Sequence, residues 1–228
     1  MASSTHKHRI LAVDIGGTHI KILLHGESDE RKTLSGPKMT PERMVKKVRT
    51  LAHGWRFDVV AMGYPGVVLH GRAFAEPHNL GGGWVGFDFR KAFGKPLRMI
   101  NDAAMQAIGS YSGGRMLFLG LGTGLGAALI IDHTVEATEL AHLPYKKGRT
   151  YEDYLGEHGL ERLGRKKWER TVYEVTEKLR AAFEVEYVVL GGGNARLLRA
   201  PPAGVRLGDN ANAFKGAFRL WLEPGWVR

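Results

Sequence analysis

The stretch "LAVDIGGTHIKILL", Leu11 to Leu24, decides the fold. An apolar run closes on Asp14, Gly16-Gly17-Thr18 follow, and Lys21 sits inside a second apolar run. Glycine punctuation between two apolar runs predicts strands over 9–15 and 19–25, joined as a hairpin. The turn invites an anion, because backbone N–H groups approach a phosphate closely only where no Cβ intervenes. Asp14 beside that anion would be repelled by it unless a cation lay between them.

Further along, "PERMVKKVRTLAHG" (41–54) predicts a helix. Pro41 suits its first turn, and Met44, Val45, Val48, Leu51 and Ala52 share one face. Residues 58–68 predict a strand running into a Pro-Gly turn, and 78–89 a loop. Residues 96–111 predict a strand then a helix, with the switch at Asn101-Asp102. "MLFLGLGTGLGAALII" (116–131) predicts a second glycine-turned hairpin. Residues 151–183 predict helix in pieces, broken near Gly156, Gly159 or Gly164. Residues 187–198 predict a strand, a glycine turn and a helix start, and 211–222 a final helix. The two hairpins lie about 100 residues apart, a hint of two related halves, and no repeat of roughly 20–50 residues is visible.

The chain has 228 residues, 43% hydrophobic and 25% charged, enough apolar material for a core and against disorder as the main state. Cysteine is absent, which excludes disulfides and thiolate metal sites and fits a reducing compartment. Residues 1–8 are polar, so no secretory signal is expected. The run 116–131 is too short to span a membrane comfortably and is interrupted by Gly120, Gly122, Gly124 and Gly126. A cytoplasmic protein with no membrane partner is expected. A net charge of +10 favours a polyanionic partner, the plain alternative being a solvated basic surface.

Three phosphate-binding patterns compete. The P-loop is absent: the Gly-Lys pair is Gly94-Lys95, and Phe89 stands where its first glycine belongs. Gly122, Gly124 and Ala127 spell a dinucleotide fingerprint, but the residues after them are strand-like where a helix is required. The third pattern has three parts. Asp14, Gly16, Gly17, Thr18 and Lys21 form D-x-G-G-T-x-x-K; Gly120, Gly122, Thr123, Gly124 and Gly126 form G-x-G-T-G-x-G; Gly191, Gly192, Gly193 and Asn194 form G-G-G-N. In this order, with Asn101-Asp102 between the first two, the set resembles the ROK sugar kinases of the actin-like ATPase superfamily, from Ile10 to Trp221. Residues 139–168 and 187–198 look most similar to the polyphosphate glucokinases within that family. A bare hairpin turn would leave the second and third motifs unexplained.

The resemblance implies an α/β, two-lobed, RNase H-like fold with a cleft between the lobes. Residues 1–100 plus 211–228 would form one lobe and 101–210 the other. It implies that Asp14 reaches a phosphate-bound Mg²⁺, directly or through water, with Gly16, Gly17, Thr18, Lys21, Gly122, Thr123, Gly124 and Gly191 to Asn194 at the phosphates or nucleotide. Asp102 would be the general base that accepts the proton of the attacking sugar hydroxyl during in-line transfer. On its own it also reads as a helix cap. Asn101, Pro65, Gly66 and Asn79 match the family's sugar-side positions.

Glu139 and His142 form E-x-x-H, which in ROK proteins lies at the sugar. Typical members also use that His as a zinc ligand with a downstream cysteine cluster. Here "TYEDYLG" replaces the cluster, so no zinc is expected, and His142 and Glu152 are assigned to the sugar with Glu139. Carboxylates suit vicinal hydroxyls as acceptors. ROK kinases are usually longer, and the adenosine side is short here, a departure that bears on ATP affinity more than on catalysis.

The expected activity is a glucokinase transferring phosphate from inorganic polyphosphate or ATP to the 6-hydroxyl of glucose, or of mannose. If 160–173 is one helix, Arg162, Lys166 and Arg170 recur at i, i+4 and i+8 with Arg165 beside them, a basic stripe for a linear polyanion that Lys146, Lys147 and Arg149 extend. A homodimeric assembly is expected. The rivals are an ATP-only hexokinase, a sugar-sensing regulator and a polyanion-binding protein. The first strand begins near residue 9, too early for a preceding helix-turn-helix, and no nucleic-acid-binding motif is visible.

Overall fold

The computed structural model describes residues 8–209 and 211–226. The polar residues 1–7, Asn210 and 227–228 lie outside the described residues. The chain forms two compact units: residues up to Asp102 with those from Ala217, and Ala103–Gly216.

The first unit holds β1 (Ile10–Ile15), β2 (His19–Leu24), β3 (Arg31–Leu34), α1 (Pro41–Leu51), β4 (Val59–Tyr64), β5 (Val68–Leu69), β6 (Arg72–Ala73), α2 (Phe89–Phe93) and β7 (Leu97–Asn101). Its main sheet runs β3-β2-β1-β4-β7. The first three strands are an antiparallel meander, and β1, β4 and β7 are parallel. The residues explain the layering. β4 is buried along its whole length, as a parallel strand covered on both faces must be, whereas β2 alternates. α1 starts where the Thr40 hydroxyl accepts from the Arg43 N–H (3.4 Å), with Pro41 in its first turn. Its buried Met44, Val45 and Val48 pack into one core with Val13, Ile20 and Met62.

The second unit holds most of α3 (Asp102–Ser110), then β8 (Arg115–Leu121), β9 (Leu125–Ile131), β10 (Thr134–Thr138), α4 (Glu152–Leu155), α5 (Glu157–Leu163), α6 (Arg165–Phe183), β11 (Tyr187–Gly191), β12 (Val205–Leu207) and α7 (Asn212–Leu222), which ends in the first unit. Its sheet runs β10-β9-β8-β11-β12, again an antiparallel meander extended by two parallel strands. The two sheets share one strand order, and the hint of related halves carried by the two hairpins is thus a matching topology. α6 buries Trp168, Val172, Val175, Thr176 and Leu179 at helical spacing. α3 and α7 approach so closely that a methyl at Gly109 would strike the Asn212 carbonyl.

The end of α7 returns to the first sheet. The Trp221 indole N–H donates to the Val60 carbonyl (3.1 Å), and the Arg98 guanidinium lies 4.2 Å from the Trp221 ring and donates to the Leu220 carbonyl.

The expected breaks in helix 151–183 fall at Gly156 and Gly164, the latter at φ 70°, while Gly159 lies inside α5. One expectation needs correction. The helix start after Gly191 is only a 3-10 turn, Ala195–Leu197: the Asn194 N–H goes to the Leu121 carbonyl (2.9 Å), and Pro201-Pro202 forbid extension. β3, β6, α2, β10 and β12 were not anticipated. α2 is five residues, capped by Asp88 and closed by a left-handed Gly94, too short for periodicity to reveal. Among the described residues no helix is long and apolar enough to cross a membrane.

Candidate functional site

Because β1, β4 and β7 are parallel, their carboxyl ends share one edge of the first sheet. The register pairs Asp14 with Gly63 and Gly63 with Ile100. Asp14, Pro65-Gly66 and Asn101-Asp102 therefore line that edge, with Asp14 and Asn101 two strand spacings apart, roughly 10 Å. Ligands of open α/β sheets bind outside the carboxyl ends of strands.

Asn101 is buried, and its side-chain amide donates to the Gly66 carbonyl (3.1 Å). Gly66 in turn donates to the Tyr64 carbonyl (2.9 Å) and lies against the Tyr64 ring. The Tyr64 hydroxyl donates to the Ala75 carbonyl (2.7 Å), and burial pushes its pKa up, which keeps it protonated. Two sequence-assigned residues and a buried tyrosine thus make one rigid corner. Asp102 opens α3, where the helix N-terminus favours a carboxylate.

Asp14 is only partly exposed at the end of β1, and burial pushes its carboxyl up to about 6 against the opposing pull of Lys21. In the turn, the Gly16 N–H donates to the His19 carbonyl (2.9 Å) and closes the hairpin, so Gly16 does not present that N–H to a phosphate as expected. The remaining turn donors are those of Gly17 and Thr18. Asn79 packs on this turn: a methyl at Gly17 would lie 3.1 Å from the Asn79 Cβ. Sequence reasoning missed Glu76, which holds the Asn79 loop by accepting from the Trp84 N–H (3.1 Å) and the Val85 N–H (3.0 Å). The one signal was a carboxylate just ahead of a glycine-rich loop.

In the second unit, Gly120 and Gly191 are register partners, which brings the second and third glycine motifs side by side. The Asn194 amide donates to the Gly122 carbonyl (3.2 Å). The turn is internally closed by the Gly122 N–H on the Gly124 carbonyl (3.1 Å). Glu152 accepts from the Leu125 N–H (3.1 Å), its carboxylate filling the space a Gly124 side chain would need. It was assigned to the sugar; its bonded partner here is the second glycine hairpin. Glu139 and His142 stand 3.6 Å apart across a 3-10 turn, both more than half exposed.

The stripe takes a different form. Because Gly164 separates α5 from α6, the i, i+4, i+8 spacing of Arg162, Lys166 and Arg170 does not describe one face. Arg165 donates to the Leu197 carbonyl (2.6 and 3.0 Å), away from the others. Arg162 and Arg170 instead border a cavity of about 710 Å³ with Lys146, Lys147, Arg149 and Lys167. Lys166 is not among its lining residues. Lys167 escaped notice because the helix break resets the phase of the pattern.

Among the described residues no group of three or more His, Asp or Glu side chains is arranged to hold a metal ion. Mg²⁺ asks less: it keeps most of its waters and takes one or two carboxylates with the substrate's phosphates. A single half-buried carboxylate beside a glycine turn, Asp14, fits that demand.

The fold is that of solved ROK structures. An inorganic polyphosphate/ATP-glucomannokinase from Arthrobacter sp. strain KM superposes with a TM-score of 0.78 at 22% identity, over 92% of this chain and 97% of that one. A ROK family glucokinase from Streptomyces griseus, solved with glucose and AMPPNP, gives 0.74 at 18% identity, over 93% and 98%. In sequence, a polyphosphate glucokinase of Mycobacterium tuberculosis is 28% identical over 217 residues, 85% of this chain and 80% of that protein. The family profile itself matches residues 10–145, and with that match the chain belongs to the ROK family.

Proposed function

We propose that this protein is a glucokinase that transfers a phosphoryl group to the 6-hydroxyl of glucose, with inorganic polyphosphate as a donor and preferred to ATP. The observation that carries the reading is the shared carboxyl edge of β1, β4 and β7, which gathers Asp14, Gly66, Asn101 and Asp102 on one sheet. The names of the relatives supply the sugar and the donor. Mannose is the second acceptor to be tried.

In this reading Asn101 and the Pro65-Gly66 corner position the sugar, and Asp102 takes the proton of the 6-hydroxyl as that oxygen bonds to the terminal phosphorus. The bond from that phosphorus to the bridging oxygen breaks, and the donor leaves one phosphate shorter. Asp14 would hold Mg²⁺, whose contribution is to neutralise the transferring phosphate. Gly17 and Thr18 of the first hairpin, and the Gly122–Gly124 and Gly191–Asn194 turns of the second unit, are assigned to donor phosphates. Glu139 and His142 remain assigned to the sugar by family resemblance. No zinc role is assigned, since the chain has no thiolate ligand.

Glucose and mannose phosphorylation with ATP and with polyphosphate, measured side by side with and without Mg²⁺, is the test. Turnover of glucose with polyphosphate exceeding that with ATP is the expected result. Turnover with ATP alone would reject the donor assignment, and no turnover with either would reject the enzyme. Elemental analysis of the purified protein should find no stoichiometric zinc.

A further inference from the structure

The basic cavity of the second unit takes up Arg162 and Arg170 of the expected stripe together with Lys146, Lys147 and Arg149. Six cations border it, Lys146, Lys147, Arg149, Arg162, Lys167 and Arg170, against one carboxylate, Glu174. That carboxylate is already engaged: Lys146 and Lys178 both donate to it at 2.8 Å and hold it down to about 2. Among the described residues, Lys147, Arg149, Lys167 and Arg170 enter no side-chain ion pair. The cavity therefore gathers like charges in a concavity, which focuses their field outward, and Glu174 bonded to Lys146 and Asp153 near Arg149 and Arg162 offset only part of it.

The cations come from separate elements brought together by the backbone. Lys147 and Arg149 lie on the loop before α4, Arg162 on α5, and Lys167 and Arg170 on α6 beyond the Gly164 break. Arg162 is pre-oriented, its guanidinium 4.6 Å from the Tyr154 ring and bonded to the Asp153 carbonyl. Lys146 and Lys178 lie over the Tyr145 ring at 4.7 and 5.4 Å. The aromatic rings are thus engaged by cations, which favours bare phosphate over a stacked base.

Helix α4 links the cavity to the glycine turn. Glu152 at its start accepts from Leu125 next to Gly124, and the carbonyl of the following residue, Asp153, accepts from Arg162 at the cavity. A four-residue helix is about 6 Å long, so one extended chain of phosphates can reach from the turn to the cavity. Resting on the donor proposed above, we infer that this cavity binds the unreacted length of a condensed phosphate chain, through Lys147, Arg149, Lys167 and Arg170.

The test reads binding apart from turnover. The full-length protein and its Lys147→Gln/Lys167→Gln variant are titrated calorimetrically, without glucose, with polyphosphate of about 100 units, with ATP and with a single-stranded DNA oligomer, across a range of salt. Long polyphosphate should bind the variant at least ten-fold more weakly, and the slope of log affinity against log salt should fall by about 1.4, near 0.7 per lost contact. ATP affinity should change less than two-fold. Circular dichroism and the melting temperature check that both proteins are folded, and Arg149→Gln/Arg170→Gln provides a second variant should the first not fold. Unchanged polyphosphate affinity and salt slope in a folded variant would overturn the site. DNA bound as tightly as polyphosphate through the same lysines would overturn the choice of ligand. A wild type that binds polyphosphate through these lysines but phosphorylates no sugar keeps the cavity and rejects the donor reading; one that phosphorylates glucose from polyphosphate with affinity indifferent to both variants does the reverse.

Discussion

Asp14 and Lys21 stand directly opposite each other across the β1–β2 ladder. The ammonium favours the ionised carboxylate, but burial outweighs it, and the Asp14 carboxyl rises from 3.8 to about 6. A raised folded value means that ionised Asp14 destabilises the fold. That cost is absent below about 3.8, builds up as pH rises between the two values and is fully present above about 6. Asp14→Asn should therefore stabilise the metal-free protein at pH 8 by about 1–3 kcal/mol and do little at pH 4. It should also weaken the dependence of rate on Mg²⁺ while lowering the rate itself. Melting curves at the two pH values decide: a variant no more stable than wild type at pH 8 removes the electrostatic account of this carboxylate.

Asp102→Asn tests the base. The amide keeps the shape and the place at the start of α3 but cannot take a proton. Phosphorylation should fall about 10²–10⁴-fold, with glucose affinity by calorimetry within about three-fold of wild type. Near-normal turnover would assign the proton to another group.

The hairpins, the Asn101-Asp102 switch and the glycine motifs were legible in the sequence because each is local: an apolar run, a turn residue, a change of period. What was not legible depends on pairing between distant strands or on short elements. That Asp14 and Asn101 share an edge follows from the β1–β4–β7 register, which no single stretch encodes. The partner of Glu152, the Leu125 N–H, lies 27 positions away. The basic stripe failed for a local reason, since one glycine at φ 70° rotated Lys167 rather than Lys166 into the cavity with Arg162 and Arg170.

Glu76 offers a test of positioning without contact chemistry. Its carboxylate gathers two backbone N–H groups and thereby holds the loop that carries Asn79 against Gly17. Glu76→Ala should loosen that loop. Since Glu76 is exposed, the effect should be modest: KM for glucose up about ten-fold, near 1.4 kcal/mol, with kcat changed less. Glu76→Gln keeps one acceptor and should recover part of the loss. A fall confined to kcat would contradict a positioning role.

The last prediction separates two roles for Glu152. Family resemblance assigns it to the sugar, while its hydrogen bond goes to the Leu125 N–H at the second glycine turn. A carboxylate bonded to a backbone N–H holds that turn in place, an interaction worth about 1.5–3 kcal/mol. If that is its main work, Glu152→Ala should raise KM for the phosphoryl donor about ten-fold or more. Glu152→Gln retains a carbonyl acceptor for Leu125 and should raise it much less. Gly124→Ala approaches the same contact from the other side: its methyl would fall on the Glu152 carboxylate and push it from the hairpin, reproducing the Glu152→Ala effect on the donor. A double variant should then be little worse than either single one, because both remove the same contact. If instead Glu152→Gln and Glu152→Ala raise KM for glucose equally and leave the donor untouched, the carboxylate serves the sugar, and its bond to Leu125 only parks it in the absence of substrate.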